Sequence, residues 1–155
     1  MKEIILRVDV PRPSPDVIRR YLAIEDLTST VSDLLDDFGI VGAIPASVLM
    51  PVVPGKRIAG PAVTLRHIPE NKTHSQLIHE KSPVHWALKE ARDIAKPGDV
   101  LIYEGNGRAD ISSAGHLATV FFKKKGLAAT IVDCGVRDVD AIRRLEYPMW
   151  ARGFT

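Results

Sequence analysis

Apolar positions along this chain change period from block to block. Ser14–Ile24 and Thr28–Phe38 have helical spacing, and Ser14-Pro15-Asp16 is a strong helix start because proline suits the first helical position. Gly39–Pro54 carries three prolines and reads as loop. Arg57–His67 reads as a strand. Thr73–Ala95 reads as a helix in two parts, broken near Pro83. Asp99–Glu104 and Leu127–Asp133 are short apolar runs of the kind buried on both faces of a sheet. Between them, Ala114, Leu117, Ala118 and Phe121 fall at helical spacing and predict one buried helix face. Val139–Leu145 reads as a helix and Tyr147–Ala151 as a last strand. Met1–Pro15 is an extended, proline-punctuated arm, suited to an edge strand or an oligomer contact. Strands alternating with helices predict an α/β fold.

The stretch Ile111–Asp138 carries the most chemistry. Ser112 or Ser113 is expected to cap the helix, since a serine oxygen accepts from first-turn amides. Lys123, Lys124 and Lys125 crowd the last turn, where the macrodipole favours cations, and Gly126 is the expected stop. The amides around Gly115, His116, Leu117 and Ala118 would face a ligand, and such a helix start favours a carboxylate or phosphate. Any capped helix has such amides, and most of them bind water. Cys134-Gly135 reads as a tight exit from the strand, followed by Arg137-Asp138. In open α/β sheets ligands gather at the carboxyl ends of strands. Arg137 has the planar fork that holds a carboxylate or keto oxygen; its plain alternative is a surface ion pair with Asp140 or Glu146. Asp138 suits a hard cation such as Mg²⁺ or Mn²⁺; its plain alternative is an ordinary helix N-cap.

Composition narrows the class. The 155 residues suit one domain, 1–155, with a sizeable core, and the 45% hydrophobic content is ordinary for a globular chain. A formal net charge of +2 gives little reason to expect nucleic-acid binding. One cysteine excludes an internal disulfide and suits a reducing compartment. No apolar run is long enough for a membrane span, and the N-terminus is too charged for a signal peptide, so the expected location is cytoplasmic.

Several other chemistries fail on spacing. Gly105-Asn106-Gly107 follows a strand as a dinucleotide loop would, but the third glycine position holds Asp110. His74, His79 and His85 lack the i, i+4 spacing of a helical zinc pair and read as surface or loop histidines. No serine sits in a nucleophile elbow. Cys134 reads as a small packed residue, and Trp86 and Trp150 as core or interface anchors.

From Ile24 onward the chain resembles the RraA-like family, which includes the 4-hydroxy-4-methyl-2-oxoglutarate aldolases and the regulator of ribonuclease E activity. Leu27–Pro45 is similar to the family's opening helix and loop, and Gly55–Pro69 to its Gly-x-Ala-x-Thr strand. Lys96–Gly107 matches its Pro-Gly-Asp-Val strand and glycine loop, and Gly115–Thr119 its glycine-led helix start. Gly135–Ile142 and Tyr147–Gly153 complete the order. The resemblance implies a layered sandwich of central β-sheet and helices, of the swivelling β/β/α type.

The resemblance also implies a site. In family aldolases the arginine holds the 2-oxo acid and the aspartate binds the divalent cation, roles that fall on Arg137 and Asp138. The helix start adds substrate contacts at Gly115, His116, Leu117 and Ala118. Two departures stand out. The acidic residue that usually follows the helix-start glycine is His116 here, which suits a metal ligand, an acid/base group or a substrate contact. Family members also continue well past Thr155, into a part that supplies more sheet and an acidic residue for a neighbouring subunit's site. The expected function is a metal-dependent carbon–carbon lyase acting on 4-hydroxy-4-methyl-2-oxoglutarate or oxaloacetate and giving pyruvate, with Mg²⁺ or Mn²⁺ as Lewis acid and either a metal-bound water or His116 as base. The alternative is a non-catalytic regulator of an RNA-processing enzyme. The resemblance implies a homotrimer or hexamer. No nucleic-acid or membrane partner is expected.

Overall fold

The computed structural model describes residues 11–68, 71–81 and 87–155. Helices α1 (Pro15–Leu22) and α2 (Leu27–Asp37) lead into a two-residue strand β1 (Met50–Pro51) and then β2 (Ala62–Arg66). Helices α3 (His74–His79) and α4 (Ala87–Ile94) precede β3 (Val100–Glu104) and β4 (Ser112–Ala114). The chain closes with α5 (His116–Lys125), β5 (Ala129–Val136), α6 (Val139–Leu145) and β6 (Met149–Phe154).

This is an α/β fold built on one six-stranded sheet of order β1-β6-β5-β3-β2, with β4 added beside β5. All pairings are parallel except β1 with β6. The parallel strands β3 and β5 are the apolar runs read from the sequence, and they occupy the middle of the sheet. Tyr103 on β3 and Phe122 on α5 meet at 6.4 Å between ring centres, and Phe122 meets Tyr147 at the same distance. Around them Leu101, Val132, Ile142, Met149 and Ala151 are fully buried. The buried Tyr147 hydroxyl lies 3.0 Å from Thr130 Oγ1, and burial pushes its pKa up to about 12.

Three expectations need correction. Ser112 and Ser113 do not cap a helix; they form β4, and Gly115 is the N-cap of α5, with no side-chain cap bond. Pairing with the end of β5 outweighs the serines' capping preference, since Arg137 N donates to Ala114 O at 3.0 Å. Cys134-Gly135 is not an exit: β5 continues to Val136 across a register shift between Val132 and Gly135, and Cys134 is buried inside it. The inward face of α5 is not the one expected. Thr119 and Phe122 are buried and Ala118 packs against the core, whereas Leu117 is 85% exposed and Phe121 39% exposed. Starting the helix at His116, after a strand that already buries Ala114, fixes its rotation. Gly126 is the helix stop, in the left-handed conformation at φ 78°, where other residues are strained.

Smaller differences follow the same logic. β1 closes the region read as loop, Pro51 being tolerated at the edge of the sheet. β6 runs on to Phe154. Two helices, α3 and α4, stand where a helix in two parts was expected, while the break near Pro83, with His85 and Trp86, lies outside the described residues. The arm is described only from Pro11. There the Arg12 guanidinium donates to both oxygens of the buried Asp99 carboxylate, at 3.1 and 2.9 Å. Trp150 is half-buried on β6 and His79 is exposed on α3.

Candidate active site

The site is built where β5 ends and α5 begins. Parallel pairing of β4 with β5 carries the chain to the sheet's carboxyl edge twice, once at Ala114 and once at Val136. The residues that follow each strand therefore meet: Gly115 and His116 from one, Arg137 and Asp138 from the other. Asp138 Oδ2 accepts the backbone N–H of His116 at 3.0 Å. Asp138 itself is left-handed at φ 59°, ψ 34°, an uncommon conformation that aspartate tolerates better than most residues. Although Asp138 stands at the N-cap position of α6, its side chain makes no cap bond there. It serves the neighbouring helix instead.

Gly115 is what allows this approach. A Cβ at 115 would lie 2.7 Å from Asp138 Oδ2, 3.0 Å from Arg137 Cγ and 3.2 Å from Arg137 Nε. The first bond inside α5 runs from Thr119 N to Gly115 O at 3.1 Å, reinforced by Thr119 Oγ1 to the same oxygen at 2.9 Å. The amides of Leu117 and Ala118 thus have no acceptor within their helix. Arg137 Nε stands 3.9 Å from Asp138 Oδ2, and the two side chains are 71% and 47% exposed. Arg137 does not pair with Asp140, which lies 3.5 Å from Arg143. The His116 ring is exposed.

All six residues singled out from the sequence are brought to one place, where first-turn amides and a guanidinium stand beside a carboxylate. Residues not anticipated adjoin it. An open depression of about 490 Å³ beside Asp138 is lined by Val139, Arg143, Arg144 and Phe154 among others. Its members come from α6 and the end of β6, and no local sequence signal links the two. A larger cavity, about 820 Å³, lies between α1, α2 and residues 58–61. It is mostly apolar and holds none of these groups, so size alone does not mark the chemistry.

Two nearby groups are structural. Burial pushes the Cys134 thiol up, against a smaller downward effect of the Ser113 hydrogen bond, which suits a packed residue and not a nucleophile. Asp133 is held by the Arg152 guanidinium, Nε at 2.7 Å, and by the Gly107 N–H at 3.0 Å.

Residues 28–155 match the family model of RraA-like proteins, described as Aldolase/RraA. The chain belongs to the RraA-like family. Among curated relatives it is 29% identical over 126 residues to protein DlpA of Legionella pneumophila, covering 81% of this chain and 19% of DlpA. It is 28% identical over 128 residues to a candidate 4-hydroxy-4-methyl-2-oxoglutarate aldolase of Halalkalibacterium halodurans, covering 83% of this chain and 53% of that protein. Among solved structures, Streptomyces coelicolor RraAS2, described as an unusual member of the RNase ES inhibitor RraA protein family, superposes with a TM-score of 0.76 at 28% identity. That match covers 95% of this chain and 67% of RraAS2. Among the described residues no helix is long and apolar enough to cross a membrane.

Proposed function

We propose that this RraA-like protein is a divalent-cation-dependent carbon–carbon lyase that cleaves 2-oxo acids to pyruvate. The observation that carries this reading is the convergence of Arg137, Asp138 and the first-turn amides of α5, with Asp138 fixed by the His116 N–H. Similarity to the Halalkalibacterium protein supports the aldolase chemistry.

The residues present suit a magnesium-type ion. Asp138 Oδ2 takes the His116 N–H, and no hydrogen bond among the described residues engages Oδ1. Mg²⁺ keeps several waters and takes one or two carboxylates plus substrate oxygens. A closed cage of side chains is not needed, and the described residues contain no group of three His, Cys, Asp or Glu that would form one. Asp138 would hold the cation, which when bound supplies Lewis acidity at the C2 carbonyl.

The chain's own groups do the rest. Arg137 binds and orients the C1 carboxylate through its two-pronged fork. The Leu117 and Ala118 amides donate to the same end of the substrate. In 4-hydroxy-4-methyl-2-oxoglutarate the C4 hydroxyl gives up its proton and the C3–C4 bond breaks. The electron pair moves into the C2–C3 enolate, and protonation at C3 gives one pyruvate beside the pyruvate released from C4. In oxaloacetate no hydroxyl proton is lost: the C3–C4 bond breaks as the C4 carboxylate leaves as carbon dioxide, and the same enolate is protonated at C3 to give pyruvate. Arg137 stabilises the developing enolate charge. His116, at the first position of α5, is the acid/base candidate. The test is pyruvate release from these acids with Mg²⁺ or Mn²⁺, set against release with chelator.

A second reading draws on RraAS2: a non-catalytic partner of an RNA-processing enzyme. The high exposure of Arg137 and Leu117 suits a contact surface as well as an open site. Inhibition of an RNase E-type nuclease without any pyruvate release would favour it. We further propose a cytoplasmic location and a trimeric or hexameric assembly.

A further inference from the structure

The depression beside Asp138 carries a positive charge that no described residue matches. Arg143 and Arg144 of α6 line it together with Asp138, Asp140 and the end of β6. The two arginines are not equivalent. Arg143 Nε donates to Val52 O at 3.1 Å, and its Nη1 stands 3.5 Å from Asp140 Oδ1. Its guanidinium carbon lies 5.8 Å from the centre of the Phe154 ring. Arg143 therefore holds α6 to its surroundings, and it neutralises Asp140. Arg144 is exposed, and no hydrogen bond or ion pair among the described residues engages it. One unmatched guanidinium is left in the wall that Asp138 shares.

Helix geometry directs it toward the site. Side chains on an α-helix tilt toward its N-terminus, so the long stem of Arg144 runs back from the last turn of α6 toward Asp138 and Val139. Phe154, 43% exposed, gives the same depression an apolar wall. A guanidinium beside an apolar wall suits a carbon that bears both a carboxylate and a methyl group. C4 of 4-hydroxy-4-methyl-2-oxoglutarate is such a carbon, three bonds from the C1 carboxylate that Arg137 takes.

We infer that Arg144 is a specificity-determining residue, pairing with the second carboxylate of a dicarboxylic 2-oxo acid while Phe154 packs against the C4 methyl group. This rests on the lyase reading, in which Arg137 and Asp138 hold the 2-oxo end. It adds a selection which that reading does not contain, since a 2-oxo acid with a single carboxylate leaves Arg144 unmatched. The second carboxylate keeps its charge throughout aldol cleavage. Its pairing is the same in the ground state and the transition state, so it acts on KM and not on kcat.

Titration calorimetry with 2-oxoglutarate and 2-oxopentanoate in the presence of Mg²⁺ tests it, beside turnover of 4-hydroxy-4-methyl-2-oxoglutarate. Neither probe has a C4 hydroxyl, so neither is cleaved, and they differ only in a distal carboxylate or methyl group. The unaltered protein should bind 2-oxoglutarate about tenfold more tightly, as one charge-assisted pair at an open site allows. Arg144→Gln should lose that preference and Arg144→Lys should keep most of it. In turnover, Arg144→Gln should raise KM by a similar factor with little change in kcat. Equal binding of the two probes by the unaltered protein would overturn the subsite, and so would an Arg144→Gln variant that weakens both probes alike; pyruvate release would then still stand for the lyase reading. An Arg144-dependent preference without any pyruvate release would refute the lyase reading and leave the subsite standing.

Discussion

The carboxylate of Asp138 caps the helix that begins at His116, not the helix that begins at Val139. Its Oδ2 accepts the His116 N–H at 3.0 Å across 22 residues of sequence, while its backbone sits left-handed at φ 59°. One side chain thereby ties the end of β5 to the start of α5, and no hydrogen bond among the described residues engages its second oxygen. Several outcomes depend on that tie.

Asp138→Asn and Asp138→Ala separate the carboxylate's two roles. Asparagine tolerates the left-handed backbone and retains an oxygen for the His116 N–H, so its thermal stability should stay close to that of the original protein. Alanine loses the cap and disfavours that backbone, at a cost of about 1–2 kcal/mol. Both should lose cation-dependent turnover and Mn²⁺ binding. An Asn variant that keeps full activity would return Asp138 to a purely structural role.

Arg137→Lys keeps the charge but loses the planar fork. Turnover should fall by one to two orders of magnitude, roughly the 1.5–3 kcal/mol of a charge-assisted pair, and pyruvate should bind more weakly. Equal pyruvate affinity in the two proteins, measured by titration calorimetry, would remove Arg137 from the substrate site.

Gly115→Ala adds one methyl group, 2.7 Å from Asp138 Oδ2. The carboxylate must move, and its bond to His116 is lost with it. The expected outcome is a folded protein about 1–3 kcal/mol less stable, with activity reduced nearly as far as in Asp138→Ala. Unchanged activity would mean that the tie is not needed.

His67 gives a pH dependence. Burial lowers its pKa below 6.5, opposed by the smaller upward pull of Glu104. A histidine less basic when folded favours the folded state fully above its ordinary value, and that contribution is lost as pH falls through the lowered one. Melting temperature should therefore drop between pH 7 and 5, and His67→Gln should drop less over the same range. Identical slopes would mean that His67 does not govern this window.

What was readable in the sequence, and what was not, divides along local and non-local lines. The central strands were readable because burial on both faces forces continuous apolar runs such as Val100–Tyr103. Gly126 was readable because a helix stop demands a left-handed residue. The meeting of Gly115 with Arg137-Asp138 is legible from the carboxyl end of a buried strand beside a helix start, and the family resemblance implies the same site, although no spacing in one chain announces the individual contact. Ser112-Ser113 misled because their capping preference is local, whereas pairing with β5 is not. Leu117 misled because an apolar residue at helical spacing is normally buried; here it projects beside the site. The carboxylate's choice of helix has no sequence signal, as Asp138 stands where an ordinary N-cap would.

The most direct test of the central claim is pyruvate release from 4-hydroxy-4-methyl-2-oxoglutarate and oxaloacetate, followed with Mg²⁺, with Mn²⁺ and with chelator, for the original protein and for Asp138→Asn side by side. The lyase account predicts release with either cation, none with chelator, and none from the Asn variant despite an intact fold. Release that ignores both chelator and the variant, or no release from any acid under any condition, would contradict it.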